Sequence, residues 1–252
     1  MVNGLWLSAD GLIAQQYRQD VIANNLANVD TAGFKPDRVA FAERLNEAVL
    51  RGAVGESNPT FSRSSGGLFS DPAYTDFAQG RLLPTNNKLD LALVGEGFFA
   101  VQTGDGTFYT RDGRFTADVQ GTIRHTASGG AVLSAQGLPL RIDADSRDPV
   151  HIDSTGRMRQ GDNVIGDVGI VDFEDRRSLD KTGENLFSGD RAVAREGRGD
   201  VRQGYVEASG VDPSSTLVEM IAATRAYEMG ASLISLQNET LGRAVNDVGR
   251  IG

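Results

Sequence analysis

Apolar residues recur at helical spacing at the N-terminal end of the chain. Residues 4 to 30 predict a helix in which positions three and four apart form one face, the a/d spacing of a coiled coil. The members of this seam are Leu5, Ser8, Leu12, Gln15, Gln19, Ile22, Leu26 and Val29. Because serine and glutamine interrupt it, the seam is only partly apolar. Gly33 and Pro36 follow it and are typical of a helix end.

A more regular seam lies at the C-terminal end. Asp212 and Pro213 are typical of an N-cap and a first helical position. The heptad positions after them hold Leu217, Met220, Thr224, Tyr227, Ala231, Ile234, Asn238, Leu241, Val245 and Val248. A second apolar edge beside this seam consists of Val218, Ile221, Met229, Leu233 and Leu236. One partner helix would not cover both edges, so the pattern predicts further neighbours from other copies of the chain.

The pattern between the helices is typical of β structure. From about residue 82 to 205, short apolar runs alternate with turns rich in Gly, Asp and Asn, which predicts an antiparallel sandwich or barrel-like body. Thr103–Thr107 and the dipeptide Asp112-Gly113 have the composition of hairpin turns. Residues 38–51 allow a short helix, and residues 52–80 indicate loop or extended structure.

These patterns predict an α+β fold. Discontinuous N- and C-terminal helices would form a coiled-coil layer, and a central, mostly antiparallel β body would lie between them in sequence. The predicted helical assembly domain comprises residues 1–35 and 206–252. Residues 36–81 form a connecting segment, partly helical or extended, and residues 82–205 form the β domain.

Composition and charge exclude several classes of function. The net charge of −9 does not suit nucleic acid, whose phosphates need a basic surface. The chain has no cysteine, so disulfides, thiolate nucleophiles and cysteine metal sites are excluded. Its N-terminal residues have neither the basic region nor the apolar run of a Sec signal. No stretch approaches the roughly 20 apolar residues that span a bilayer.

Residues that could carry chemistry do not form a recognised site. His125 and His151 stand alone, whereas zinc needs three or four ligands. The aspartates from Asp143 to Asp148 have a calcium-like spacing but lack the glycine and glutamate of an EF-hand loop. Lys181 lies in both a K-T-G and an S-x-x-K match, and one lysine cannot fill both elements of a penicillin-recognising enzyme. We therefore expect no catalytic residue, no cofactor and no bound metal.

Four stretches of the chain resemble the axial family of bacterial flagellar rod and hook proteins. Residues 15–35 (QQYRQDVIANNLANVDTAGFK) resemble its N-terminal signature, and residues 84–102 (PTNNKLDLALVGEGFFAVQ) resemble its central motif. Residues 108–115 (FYTRDGRF) are similar to its Tyr-Thr-Arg-Asp/Asn-Gly hairpin. Residues 203–230 resemble the stretch that leads into its C-terminal helix. Length and central motifs resemble the proximal or the distal rod proteins, and the two types remain open.

The resemblance implies a structural protein rather than an enzyme. It implies a subunit of the basal-body rod that assembles into a helical tube, transmits torque and lines the export channel. Its partners would be copies of itself, other rod and hook proteins, and the flagellar type III export apparatus. It would reach the periplasmic rod without a cleaved Sec signal, and neither nucleic acid nor direct membrane insertion is implied.

The residues expected at the assembly interface lie on the terminal helices. They are Leu5, Leu12, Ile22, Asn24, Asn25, Leu26, Asn28, Leu217, Met220, Ile221, Tyr227, Ile234, Leu241 and Val245. Asn24 and Asn25 would bond neighbouring subunits and fix their register. Asn28 suits that role or a local one, in which its side chain helps to end the helix.

The same interpretation predicts mobile ends in the isolated monomer. Residues 1 to about 33 and 212 to 252 would order on assembly. A protease would then leave a core near residues 40 to 205.

Two other classes of function stay open on the residues alone. A cell-wall hydrolase acting through carboxylates would need a convergent polar cleft on the β body. A β-rich binding or adhesion module with helical oligomerisation ends would need an exposed aromatic stripe there. The only tryptophan, Trp6, lies in the N-terminal helix, which weakens the second alternative.

Overall fold

The structure of the protein is a computed structural model that describes residues 2–43, 68–70, 73–190 and 192–249. These residues confirm an α+β fold with helices at both ends and a mostly antiparallel β body. The chain divides into a helical unit (residues 1–27, 37–74 and 212–252) and a β unit (residues 28–36 and 75–211).

The helical unit is built on α1 (Val2–Ala27) and α2 (Pro213–Gly249). The two helices pack against each other and run antiparallel. Leu12 lies against Gly230, and Gln237 donates to the Ser8 hydroxyl at 3.5 Å. Asp212 caps α2, since its carboxylate accepts from the backbone N–H of Ser214 at 3.1 Å.

The strands are short, as the closely spaced turn residues predict. Their bounds are β1 Asp37–Arg38, β2 Phe41–Glu43, β3 Leu68–Ser70, β4 Tyr74–Thr75, β5 Leu82–Pro84, β6 Leu91–Val94, β7 Phe98–Thr103, β8 Gly106–Thr110, β9 Phe115–Ala117, β10 Ile123–His125, β11 Ala131–Val132, β12 Val150–Ile152, β13 Arg157–Gln160, β14 Asn163–Asp167, β15 Ile170–Phe173, β16 Asp180–Gly183, β17 Leu186–Ser188, β18 Ala194–Glu196, β19 Asp200–Gln203 and β20 Tyr205–Glu207. A 3-10 turn spans Arg176–Ser178.

The short helix predicted over residues 38–51 is wrong where the structure describes it. Phe41–Glu43 is strand β2 and pairs antiparallel with β3, Phe41 opposite Ser70. The pairing supplies backbone hydrogen bonds from a distant part of the chain, which overrides local helix propensity. Residues 44–51 lie outside the described residues.

The largest sheet of the β unit has the order β16-β17-β8-β7-β11-β10-β9. Strand β7 is its centre, because it pairs with β8 along one edge and with both β15 and β11 along the other. Strand β18 extends the sheet beyond β15. Strands β12, β13 and β14 form a separate antiparallel sheet, while β6 pairs with β19 and β5 with β20.

The two predicted hairpin turns have different outcomes. The first is confirmed: β7 and β8 form a hairpin in which Thr103 lies opposite Gly106. Asp112-Gly113 does not make a hairpin, since β9 pairs with β10 instead of β8. Gly113 is needed for another reason, because a Cβ there would lie 1.6 Å from the Leu91 carbonyl oxygen.

The core of the β unit lies on both faces of β7. Successive side chains of a strand point to opposite faces, so Phe98 and Phe99 enter different clusters. Phe99 packs edge-to-face on Phe115 at 5.2 Å, within a cluster that includes Leu91, Ile123 and Met158. Phe98 packs with Phe173, Phe187 and Leu179 on the other face. The lean aromatic content is therefore concentrated around one central strand.

Residues 28–36, which follow α1, belong to the β unit. Ala32, Phe34 and Lys35 are at most 7% exposed. Gly33 has a φ of +68° and its N–H donates to the Glu207 carbonyl at 2.7 Å. The expectation that residues up to about 33 are mobile is therefore corrected at its C-terminal end, because this segment is buried and hydrogen-bonded.

Candidate assembly surface

The structure places the predicted interface residues in three environments. Ile22 and Asn25 are buried. Those that are half-buried are Leu12, Leu26, Asn28, Met220, Ile234 and Leu241. Those that are exposed are Asn24, Leu217, Ile221 and Tyr227. Leu5 and Val245 lie within the helices, but their side chains are outside the described part of the structure. Their assembly role as a set stays a prediction.

The face of α2 that meets α1 differs from the predicted heptad seam. Leu217, Thr224, Ala231 and Asn238 belong to that seam and are exposed. Met220, Ile234 and Leu241 of the seam are half-buried, and the other buried or half-buried positions are Thr216, Ala223, Ala226, Gly230 and Gln237. Small residues on this face allow a close approach. At Gly230 a Cβ would lie 2.7 Å from the Leu12 Cδ2.

A stripe of large apolar residues on α2 faces solvent. Val218, Ile221, Met229, Leu233 and Leu236 have between 54% and 66% of their surface exposed. At 3.6 residues per turn these positions fall on one side of the helix. This apolar stripe is the second edge that the sequence singled out, and α1 does not cover it.

The interface between α1 and α2 also contains glutamine. The Gln15 Oε1, Gln19 Nε2 and Gln237 Oε1 atoms are shielded from solvent and have no hydrogen-bond partner in the described part of the chain. A buried amide atom without a partner costs roughly 1–3 kcal/mol. Polar groups at such positions are known to favour one helix register over others.

The asparagines at the end of α1 have local contacts. The Asn25 Nδ2 donates to the Asp37 carbonyl at 2.7 Å, and its Oδ1 accepts from the Asp37 N–H at 3.0 Å. The buried Asn25 amide thus makes both hydrogen bonds with the backbone of Asp37 that a neighbouring strand would make. The Thr31 hydroxyl donates to the Asn28 Oδ1 at 3.2 Å and supports the helix end. A contact with a neighbouring subunit remains a prediction for all three asparagines.

His125 is part of a buried polar chain. Both His125 and Asp112 have 0% of their surface exposed, and the His125 Nε2 lies 3.4 Å from the Asp112 Oδ2. The His125 Nδ1 lies 2.8 Å from the Ser128 hydroxyl. Burial alone raises the pKa of Asp112, but the neighbouring His125 ring and the hydrogen bonds from Arg114 outweigh it and lower the pKa below its ordinary value. The arrangement ties β10 to the loop after β8.

The other candidates from the sequence, the aspartates from Asp143 to Asp148 and Lys181, also make contacts within the chain. The Asp143 N–H donates to the Gln160 amide oxygen, and the Ser146 hydroxyl donates to the Asp148 carboxylate. Among the described residues, no group of three or more His, Cys, Asp or Glu could hold a metal. The Lys181 ammonium donates to the Lys35 carbonyl at 2.6 Å and lies 4.6 Å from the centre of the Phe34 ring.

An open groove of about 780 Å³ crosses the β unit. Its charged residues are paired: Arg157 with Asp167 at 3.2 Å, and Arg195 with Asp172 at 2.9 Å. Burial, with a smaller contribution from Asp190, raises the pKa of Tyr109 in its wall. In the described part of the chain, no helix combines the length and the apolarity that crossing a membrane requires.

Comparison with known families gives three matches along the chain. Residues 7–35 match the family described as "Flagella basal body rod protein". Residues 92–160 match "Flagellar hook protein FlgE/F/G D1 domain", and residues 202–247 match "Flagellar basal body rod FlgEFG protein C-terminal". The matches therefore cover most of α1 with the segment after it, the centre of the β unit, and β20 with most of α2.

Individual relatives are similar over nearly their whole length. The flagellar basal-body rod protein FlgG of Bacillus subtilis (strain 168) is 33% identical, over 98% of this chain and 99% of the relative. FlgF of Caulobacter vibrioides is also 33% identical, over 100% of both chains. FlgG of Borreliella burgdorferi is 33% identical over 98% of each. Relatives of both names thus match at the same identity.

Proposed function

The chain belongs to the family of flagellar basal-body rod proteins and is a structural rod subunit, and on that premise we propose that its terminal helices are the surface through which copies assemble into a helical tube. The helices would form a coiled-coil layer of the tube. Other rod and hook proteins would adjoin it at the ends of its segment. The subunit would transmit torque and line the export channel.

One observation carries this proposal: the exposed apolar stripe of α2. Covering a large apolar side chain completely is worth roughly 1.5–3 kcal/mol. Association itself opposes this gain through lost translational and rotational freedom. Large apolar side chains exposed on one side of a helix suit a packed neighbour better than water.

The two helices present unlike faces, which suits a polymer. The exposed side of α2 carries the apolar stripe. The exposed positions of α1 are mixed, because they include the polar Asp10 and Asn24 as well as the apolar Ile13. A patch that meets a different patch on the next copy makes a heterologous contact, and such contacts generate helical filaments when they do not close into a ring. Unlike faces therefore support a tube over a closed dimer.

The remaining parts of the proposal rest on family membership. The subunit would leave the cell through the flagellar type III export apparatus without a cleaved Sec signal, and would assemble in the periplasm. It would act without catalysis, a view supported by the structural contacts of His125 and Lys181. No observation favours the hydrolase or adhesion alternative.

Substitutions on the apolar stripe test this proposal. We expect the double variant Met229→Gln, Leu233→Gln to be exported but to form no rod. The reason is that burying the two glutamine side chains against a neighbouring subunit would cost free energy. Electron microscopy of basal bodies and immunoblotting of the periplasmic fraction give the readout. Ala231→Gln is the matched control, because Ala231 is exposed on the same helix outside the stripe. Normal rods in the double variant would contradict the proposal.

A further inference from the structure

The stretch that leaves α1 and the stretch that leads into α2 lie side by side in the β unit. The Gly33 N–H donates to the Glu207 carbonyl at 2.7 Å, and the Gly210 N–H donates to the Phe34 carbonyl at 2.9 Å. The connected residues come from opposite ends of the chain. Their pairing is therefore completed only when both ends are present.

A buried charge cluster joins the same two stretches. The Lys35 ammonium lies 2.6 Å from the Glu207 Oε1 and donates to the Ala78 carbonyl at 2.8 Å. The Arg111 guanidinium lies 3.3 Å from the Glu207 Oε2. Lys35 and Glu207 are each 1% exposed. Burial lowers the pKa of Lys35 and of Arg111, and the Glu207 charge opposes it in both.

The β16–β17 hairpin also forms hydrogen bonds with the segment after α1. In the turn between β16 and β17, the Asn185 Nδ2 donates to the Ala32 carbonyl at 2.7 Å. The Lys181 ammonium at the start of this hairpin donates to the Lys35 carbonyl at 2.6 Å. The carbonyls of Ala32, Phe34 and Lys35 are thus all bonded by residues that come far later in the sequence.

We propose that Ala32–Pro36 and Glu207–Gly210 form a latch that fixes the segment after α1 within the β unit only after the C-terminal strand β20 has folded. The physical reason is the Lys35 ammonium, whose burial in the charged form is costly without a counter-charge. Glu207 supplies that charge, and it lies in the last strand of the β unit. Until β20 is in place, Ala32–Pro36 lack these contacts. This order of folding does not depend on rod assembly.

The test measures amide hydrogen exchange in the purified full-length protein. In Glu207→Gln we expect the Gly33 and Phe34 amides to exchange at least about tenfold faster, while β7 and β13 keep their protection. Lys35→Met should have a smaller effect, because Glu207 would still pair with Arg111. Glu219→Gln, at an exposed position on α2, is the matched control and should change neither amide. Unchanged protection in Glu207→Gln would overturn the latch, as would an equal loss in β7.

A second variant keeps the test decisive if Glu207→Gln does not fold. Asn185 has a φ of +61°, so Asn185→Gly removes the amide without straining the turn. We expect faster exchange at Gly33 and Phe34 with an intact β unit, and no change there would overturn the proposal. Pulse-labelled refolding tests the order of events. Gly33 should gain protection together with or after Val206, and protection of Gly33 before Val206 would overturn the order of folding.

Discussion

At the scale of a single residue, Asp172 on β15 shows how one carboxylate can connect a neighbouring strand and a turn. It is 2% exposed, and its oxygens accept from Arg176 at 3.0 Å and from Arg195 at 2.9 Å. Burial by itself raises the pKa of Asp172, but the two arginine hydrogen bonds outweigh it and bring the pKa from 3.8 to about 2. The carboxylate therefore stabilises the folded state through its charged form.

The shift predicts a stability that depends on pH. Because the folded pKa is depressed, the stabilising contribution is full above about pH 4 and is lost as the pH falls through about 2. We expect Asp172→Asn to lower the free energy of unfolding by about 2 kcal/mol at pH 7, with a smaller difference from the wild type at pH 3. Urea denaturation at both pH values checks this. Asp105→Asn, in an exposed turn, is the control, and an equal loss at both pH values would contradict the prediction.

The sequence could identify residues of the site but not their intrachain partners. Asn25 stood out because asparagine is a poor helix former, yet its contact with Asp37 depends on the chain returning to α1. Lys35 and Glu207 are far apart in sequence, and no local pattern connects them. The sequence shows which side chains are able to form hydrogen bonds and ion pairs. The fold determines which of them come close enough to do so.

At the scale of elements, the pairing of α1 and α2 depends on small residues. The heptad interpretation followed large apolar side chains and so selected Leu217, which is 49% exposed. The buried face contains Ala223 and Gly230 instead. Hydrophobic periodicity locates a helix well. It does not predict which face packs against a neighbour when small residues allow the two helices to approach closely. Turn residues likewise predicted the β7–β8 hairpin. The pairing of β7 with β11 and β15 is long-range, and no local pattern predicts it.

Substitution of Gly230 tests the close approach. We expect Gly230→Ile to lower the stability of the helical unit by about 1–3 kcal/mol, because overpacking forces the two helices apart. Thermal denaturation followed by circular dichroism at 222 nm measures the change. Gly242 is the matched position on the same helix, where an added Cβ meets nothing within 4 Å. If Gly230→Ile and Gly242→Ile lose the same stability, close packing at Gly230 is not the cause.

At the scale of the whole molecule, the division into two units changes the expected proteolytic core. Because residues 32–36 are buried in the β unit, we expect limited proteolysis of the monomer to leave a core that begins near residue 28 and ends near residue 211. The earlier estimate of 40 to 205 would cut through hydrogen bonds to Phe34 and Gly210. Mass spectrometry of the stable fragment gives both ends, and a core that begins after residue 36 would contradict the expectation.

The apolar stripe of α2 also has a consequence for kinetics. A first pair of copies covers only part of each stripe, while a subunit that joins a longer array meets neighbours on more than one side. The early contacts are therefore weaker than the later ones, so assembly should pass through an unfavourable nucleus. Below a critical concentration the subunit would remain dispersed, and above it growth would follow a lag that preformed ends abolish.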